Sequence, residues 1–208
     1  MESTKEKVSY CIGLETGRNL RQQFADMDQQ CLTTGFMDAI SESTPKLKQE
    51  EIQSILIALK NQIESQQRQN YTRVAEENKK QSEAFLEANK ENEGVETLPS
   101  GLQYKVLSSG PSSGAHPTPF DAVKIHYRGN LIDGRVFDSS YQRGEPHTFP
   151  LNRVIAGWAE ILQMMRVGDK WQVVIPPYLA YGQMGYGPDI GPNMALVFEI
   201  ELLGINEN

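Results

Sequence analysis

The stretch AVKIHYRGNLIDGRVFDSS (residues 122–140) decides the fold class. Val123, Ile125 and Tyr127 alternate with Lys124, His126 and Arg128, the period-two pattern of a strand with one face buried and the other in water. Asp133-Gly134 then marks a hairpin turn, and Val136-Phe137-Asp138-Ser139 supplies the return strand.

Working outward, short β-rich runs punctuated by glycine and proline continue on both sides. Residues 102–107, 147–151, 171–175 and 195–203 read as further strands, and residues 108–119 as a Gly/Pro/Ser-rich loop. One segment departs from this pattern. In residues 154–165, Val154, Ile155, Trp158, Ile161, Leu162 and Met165 fall at helical spacing, and Gly168-Asp169 closes the element. Strands around a single amphipathic helix define an α+β fold: a twisted antiparallel sheet laid on one short helix, with a wedge between them suited to a pocket. The loop LAYGQMGYGPDIGPN (residues 179–193) interrupts the last two strands. Its four glycines and two prolines exclude regular structure, yet it carries two tyrosines.

The first 95 residues have a different grammar. They contain one of the 11 prolines, Pro45, and are rich in Gln, Glu, Lys, Asn and Ala. Tyr10, Ile12, Leu14, Leu20 and Phe24 indicate a first helix, and Leu32, Phe36, Met37 and Ile40 a second. Ser43-Thr44-Pro45 is a helix-start signature, and nothing interrupts the helix from there to about Asn92. Its early part carries an apolar stripe (Ile52, Ile55, Leu56, Leu59, Ile63), whereas IESQQRQNYTRVAEENKKQSEAF (residues 63–85) is polar on nearly every face and reads as a solvated stalk. Three domains are therefore expected: a helical dimerisation domain (1–63), a stalk helix (64–95) and a β-rich domain (96–208). Some 60 residues in three helices bury too little surface to be secure alone, so a homodimer through residues 1–63 is expected.

Composition excludes several functions. A net charge of -7 argues against nucleic acid as the main partner. No apolar run is long enough to span a membrane, and MESTKEKVSYCIG lacks a signal-peptide core. These features predict a cytoplasmic protein; an exported chain freed of its signal, periplasmic or on the cell surface, is the alternative. Cys11 and Cys31 match no zinc spacing and read as buried thiols, and His116, His126 and His147 are scattered, so neither metal nor cofactor is expected.

No nucleophile–base pair or phosphate-cradling loop is visible. Tyr127, Phe137, Trp158 and Phe198, taken singly, read as core, and Asp138 as a turn residue. Tyr181 is different, because it lies on a loop with a hydroxyl to satisfy.

The pieces VKIHYRGNLIDGRVFDSS, VIAGWAEILQMMRVGDKW, VVIPPYLAYG and ALVFEIELL, in order and at matching spacing, resemble the FKBP-type peptidyl-prolyl cis-trans isomerases. SYCIGLETGRNL, AFLEANKENEGVETLPSGLQYKVL and IGPN resemble the dimeric macrophage infectivity potentiator (Mip) subgroup of that family. The resemblance implies a V-shaped homodimer that acts on proline-containing or unfolded chains and binds macrolides of the FK506/rapamycin class. It places Trp158 beneath the prolyl ring, with Tyr127, Phe137 and Phe198 as walls. The N–H of Ile155 and the hydroxyl of Tyr181 would hold carbonyls, and Asp138 would act on the twisted amide. Val154, Arg143, His147, Ala180, Tyr186 and Ile190 would contact substrate at the rim. His147 stands where the family usually has an aromatic wall, Tyr186 where histidine is common, and Arg153 where an acidic residue is frequent. A competing reading is a dimeric clamp that holds unfolded chains, with isomerisation secondary.

Overall fold

The computed structural model describes residues 1–24 and 26–206; the last two positions of the expected 96–208 domain lie outside them. The chain divides into two compact units, Met1–Ile63 and Glu64–Asn208.

The first unit contains α1 (Thr4–Gln23), α2 (Gln29–Ile40) and the start of α3 (Gln49–Asn89). Ser3 caps α1 through a reciprocal capping box with Glu6, and Asp28 caps α2 by accepting from the Cys31 N–H. The third helix starts after the expected Pro45, because residues 43–48 form an irregular connection. No described residue of this unit is fully buried. Tyr10, Ile12, Phe36, Met37, Ile55 and Leu56 are exposed. Cys11 and Cys31, expected to be buried thiols, are therefore free and exposed: three helices in one copy enclose no interior for them.

In the second unit, seven strands form one antiparallel sheet: β1 (Val95–Thr97), β2 (Gln103–Ser108), β3 (Ala122–Leu131), β4 (Val136–Ser139), β5 (His147–Pro150), β6 (Lys170–Ile175) and β7 (Leu196–Ile205). Their order is β1-β2-β6-β7-β3-β4. β5 also pairs with β3, taking residues 122–125 where β4 takes 128–130. The alternation read in β3 is literal: Val123, Ile125, Tyr127 and Leu131 are buried. Gly134 turns the β3–β4 hairpin with φ +89°, a conformation that favours glycine. The unit also contains the later part of α3 and two short α-helices, α4 (Ser140–Arg143) and α5 (Ala156–Leu162). α5 is shorter than residues 154–165: it starts after Val154 and Ile155, whose ψ angles of 169° and 150° are not helical, and it ends at Leu162. Its Trp158, Ile161 and Leu162 pack with Ile125, Ile175, Leu196 and Ile200 into one core. Gly157 permits the close approach, since a Cβ there would lie 2.5 Å from Ile175 Cγ2.

The polar stretch of α3 is not solvated all round. Asn78 and Ser82 are buried, and both donate hydrogen bonds to backbone carbonyls of residues 192–193. Hydropathy periodicity does not register a face that packs through hydrogen bonds.

Candidate functional site

The wedge between sheet and helix is a cavity of about 410 Å³ lined by Tyr127, Phe137, Asp138, Phe149, Arg153, Val154, Ile155, Trp158, Tyr181, Tyr186 and Phe198. β3 contributes Tyr127, β4 Phe137 and Asp138, β5 Phe149, α5 Trp158 and β7 Phe198. Strand alternation turns Tyr127 and Phe198 to the same inner face. Trp158 lies at the centre. Tyr127, Phe149 and Phe198 meet it edge-on, with centroids at 5.0, 5.4 and 5.2 Å. Such edge-to-face pairs add about 0.5–1.5 kcal/mol each beyond burial and fix the ring geometry. The indole Nε1 is buried without a hydrogen-bond partner among the described residues.

One polar cluster interrupts the aromatic lining. The Tyr127 hydroxyl donates to Asp138 Oδ2 at 2.5 Å, and Arg143 Nη2 donates to the Tyr127 hydroxyl at 2.8 Å. Arg143 also forms a charged hydrogen bond to Asp138 Oδ1, with its guanidinium 5.5 Å from the centre of the Tyr127 ring. Burial pulls the Asp138 carboxyl upward, but the donors from Tyr127 and Arg143 outweigh it, and the group sits below the ordinary carboxylate range. Burial, followed by the bond to Asp138, pushes Tyr127 up to about 12. Asp138 is thus a fixed anion beside an apolar cavity.

Tyr181 lines the same cavity. Its hydroxyl makes no hydrogen bond among the described residues, and its ring stacks on Tyr186 at 4.8 Å. Burial, helped by Tyr186 and Asp138, raises its pKa, so it keeps its proton at neutral pH and can donate. The Ile155 N–H, ahead of the first turn of α5, is likewise uncommitted among the described residues, whereas the Ile155 carbonyl accepts from Trp158 and Ala159.

Several expected residues fall elsewhere. Ile190 is buried and lines an adjoining cavity of about 230 Å³ with Tyr181, Tyr186 and Asp189. Arg143 stands behind the lining, tied to Asp138. His147 and Ala180 do not line the cavity. The aromatic wall expected to be missing at His147 is supplied two residues later by Phe149, whose ring His147 meets at a tilt of 41° with centroids 4.3 Å apart. Sequence reasoning also missed Gly129. A Cβ there would lie 2.6 Å from Phe137 and 2.8 Å from Phe198, so its absence makes room for both walls. A glycine inside an alternating strand signals such a close approach.

This sheet-and-helix fold with an aromatic wedge defines a class: the chain belongs to the FKBP-type peptidyl-prolyl cis-trans isomerases. Residues 114–203 match the family of that description, and residues 5–106 match the domain described as amino terminal to it. Relatives carry both parts. The outer membrane protein MIP of Legionella longbeachae is 40% identical over 100% of this chain and 88% of its own length. The peptidyl-prolyl cis-trans isomerase Mip of Coxiella burnetii is 40% identical over 100% of this chain and 89% of its own. The crystal structure of FkpA from Escherichia coli superposes with a TM-score of 0.77 at 35% identity, covering 99% of this chain and 98% of that one. The chain is thus a Mip- and FkpA-like isomerase; the comparisons support the enzyme rather than the clamp with secondary activity.

They also overturn the cytoplasmic expectation, because a relative matched along this whole chain is named an outer membrane protein. Negative charge and the lack of a long apolar helix are shared by folded domains on either side of a membrane, so neither reports the compartment. No helix among the described residues is long and apolar enough to cross a membrane.

Proposed function

We propose that the 410 Å³ cavity receives the prolyl ring of an X–Pro segment, with Trp158 beneath it and Tyr127, Phe137, Phe149 and Phe198 around it. The observation that carries this reading is an aromatic cavity bordered by two uncommitted donors, the Tyr181 hydroxyl and the Ile155 N–H, and one fixed anion, Asp138. No covalent step is required. The barrier of roughly 20 kcal/mol is amide resonance, and a site that binds the twisted amide better than the planar one lowers it. Stripping water from the carbonyl oxygen disfavours the charge-separated resonance form. Tyr181 and Ile155 hold flanking carbonyls, and Asp138 acts electrostatically on the twisted bond. Macrolides of the FK506/rapamycin class, which would present a comparable ring and carbonyls, are expected to compete for the cavity.

The test is turnover of a short X–Pro peptide by the paired variant Asp138→Leu/Tyr181→Phe. A fall in kcat/KM of about ten- to a hundredfold is expected for the loss of two polar contacts to the transition state. Full activity would remove both polar roles and leave shape alone.

The exposed apolar side chains of residues 1–63 support a homodimer through that unit. A groove of about 670 Å³ there, lined by Cys31, Gly35, Ala39, Leu47 and Ile52, is suited to a partner helix. Proline-containing, incompletely folded proteins in the periplasm or at the cell surface are the proposed substrates.

A further inference from the structure

The loop of residues 181–195, which carries the cavity rim, is held from outside the cavity by the later part of α3. Two sets of contacts organise it. Internally, the Asn193 N–H donates to the Gly182 carbonyl at 2.8 Å and closes the neck, while Tyr186 and Ile190 exchange hydrogen bonds of 2.7 and 3.2 Å at the tip. Gly185 is required between them, since at φ +67° a Cβ would lie 2.2 Å from the Ile190 oxygen. Externally, α3 grips both legs. Tyr71 donates to the Gln183 carbonyl on the first leg. On the second, Asn78 Nδ2 donates to the Pro192 carbonyl at 2.8 Å and Ser82 Oγ to the Asn193 carbonyl at 2.9 Å. Ser82 Oγ also accepts from the Ala195 N–H at 2.8 Å.

Asn193 joins the two sets. It adopts φ +55°, a strained conformation for a residue other than glycine, and its side chain donates to the Ala75 carbonyl of α3 at 3.1 Å. The same residue thus closes the neck and ties it to the helix. Loop backbone has few regular partners, so these helix contacts take the place of a sheet ladder.

We propose that Asn78 and Ser82 are positioning residues for substrate binding. They act through residues 192–195 of the loop to hold Tyr186, stacked on Tyr181, at the cavity rim, and so set how tightly the peptide flanking the proline is held. This rests on the reading of that cavity as the substrate site.

The test is a double-mutant cycle in the full chain, measuring kcat and KM on a short X–Pro peptide. Asn78→Ala/Ser82→Ala should raise KM about threefold to tenfold with kcat within about twofold, the signature of lost uniform binding. On a Tyr186→Ala background the same helix change should alter KM by less than about twofold, because the contact it positions is already gone. A purely structural role would instead act equally on both backgrounds. Asn193→Gly, which accepts the positive φ and removes only the tie to Ala75, should reproduce the KM rise and serves if the double variant does not fold. An unchanged KM in the folded helix variant alongside a raised KM in Tyr186→Ala, or effects that multiply independently, would overturn the inference. A wild-type KM in Tyr186→Ala would sink the rim reading, and the inference with it.

Discussion

At the scale of single residues, the Tyr127–Asp138–Arg143 cluster shows how an apolar cavity can border a stable charge. Asp138 remains ionised because its two oxygens accept from a hydroxyl and a guanidinium. The sign of the linkage at Tyr127 follows. Its folded pKa of about 12 lies above the usual ~10 of an unfolded chain. Its contribution to stability is therefore complete below about pH 10 and is lost as the pH rises through about 12. In a tyrosinate absorbance titration, Tyr127→Phe should remove one late step near 12 while the similarly raised Tyr104 remains; loss of a step near 10 would contradict the geometry. Tyr127, Asp138, Trp158 and Phe198 were legible because each sits in a contiguous motif within a regular element. Phe149 was not. It shares the inward side of β5 with His147, and choosing between them requires the register that sets Phe149 opposite Val123 and His147 opposite Ile125.

At the scale of elements, long strands and the long helix were readable from periodicity, whereas β1, with three residues, and α4, with four, are too short to show a period. The polar half of α3 misled for a different reason. Asn78 and Ser82 look like solvent-facing residues in a hydropathy profile, but their amide and hydroxyl are committed to loop carbonyls 111 to 114 positions away in sequence. The contact of α5 with the sheet depends on a missing side chain. Gly157→Ala would drive a methyl into Ile175, which is fully buried and cannot yield. The expected result is a loss of about 1–3 kcal/mol in chemical unfolding, as for other overpacked cores, with reduced peptide turnover because Trp158 is the next residue. Unchanged unfolding and turnover would show that the helix can shift without cost.

At the scale of the whole molecule, the two units differ in what one copy can bury. The second holds a continuous core of Leu, Ile, Val, Trp and Phe, whereas the first holds no fully buried described residue. Light scattering should therefore give the full chain twice its mass of 23.4 kDa, and residues 64–208 alone a single mass with short-peptide turnover retained. A full chain of single mass would refute pairing through residues 1–63. The central claim is that the cavity over Trp158 is where X–Pro bonds turn. The chain has two tryptophans, Trp158 and Trp171, both with buried indole N–H groups free of hydrogen-bond partners among the described residues, so the indole region of a proton–nitrogen spectrum should hold two resolvable signals. On titration with an isomerised X–Pro peptide, the Trp158 signal should shift in a saturable way while that of Trp171 stays in place. A Trp158 signal that does not move while the peptide is being turned over would place the chemistry elsewhere.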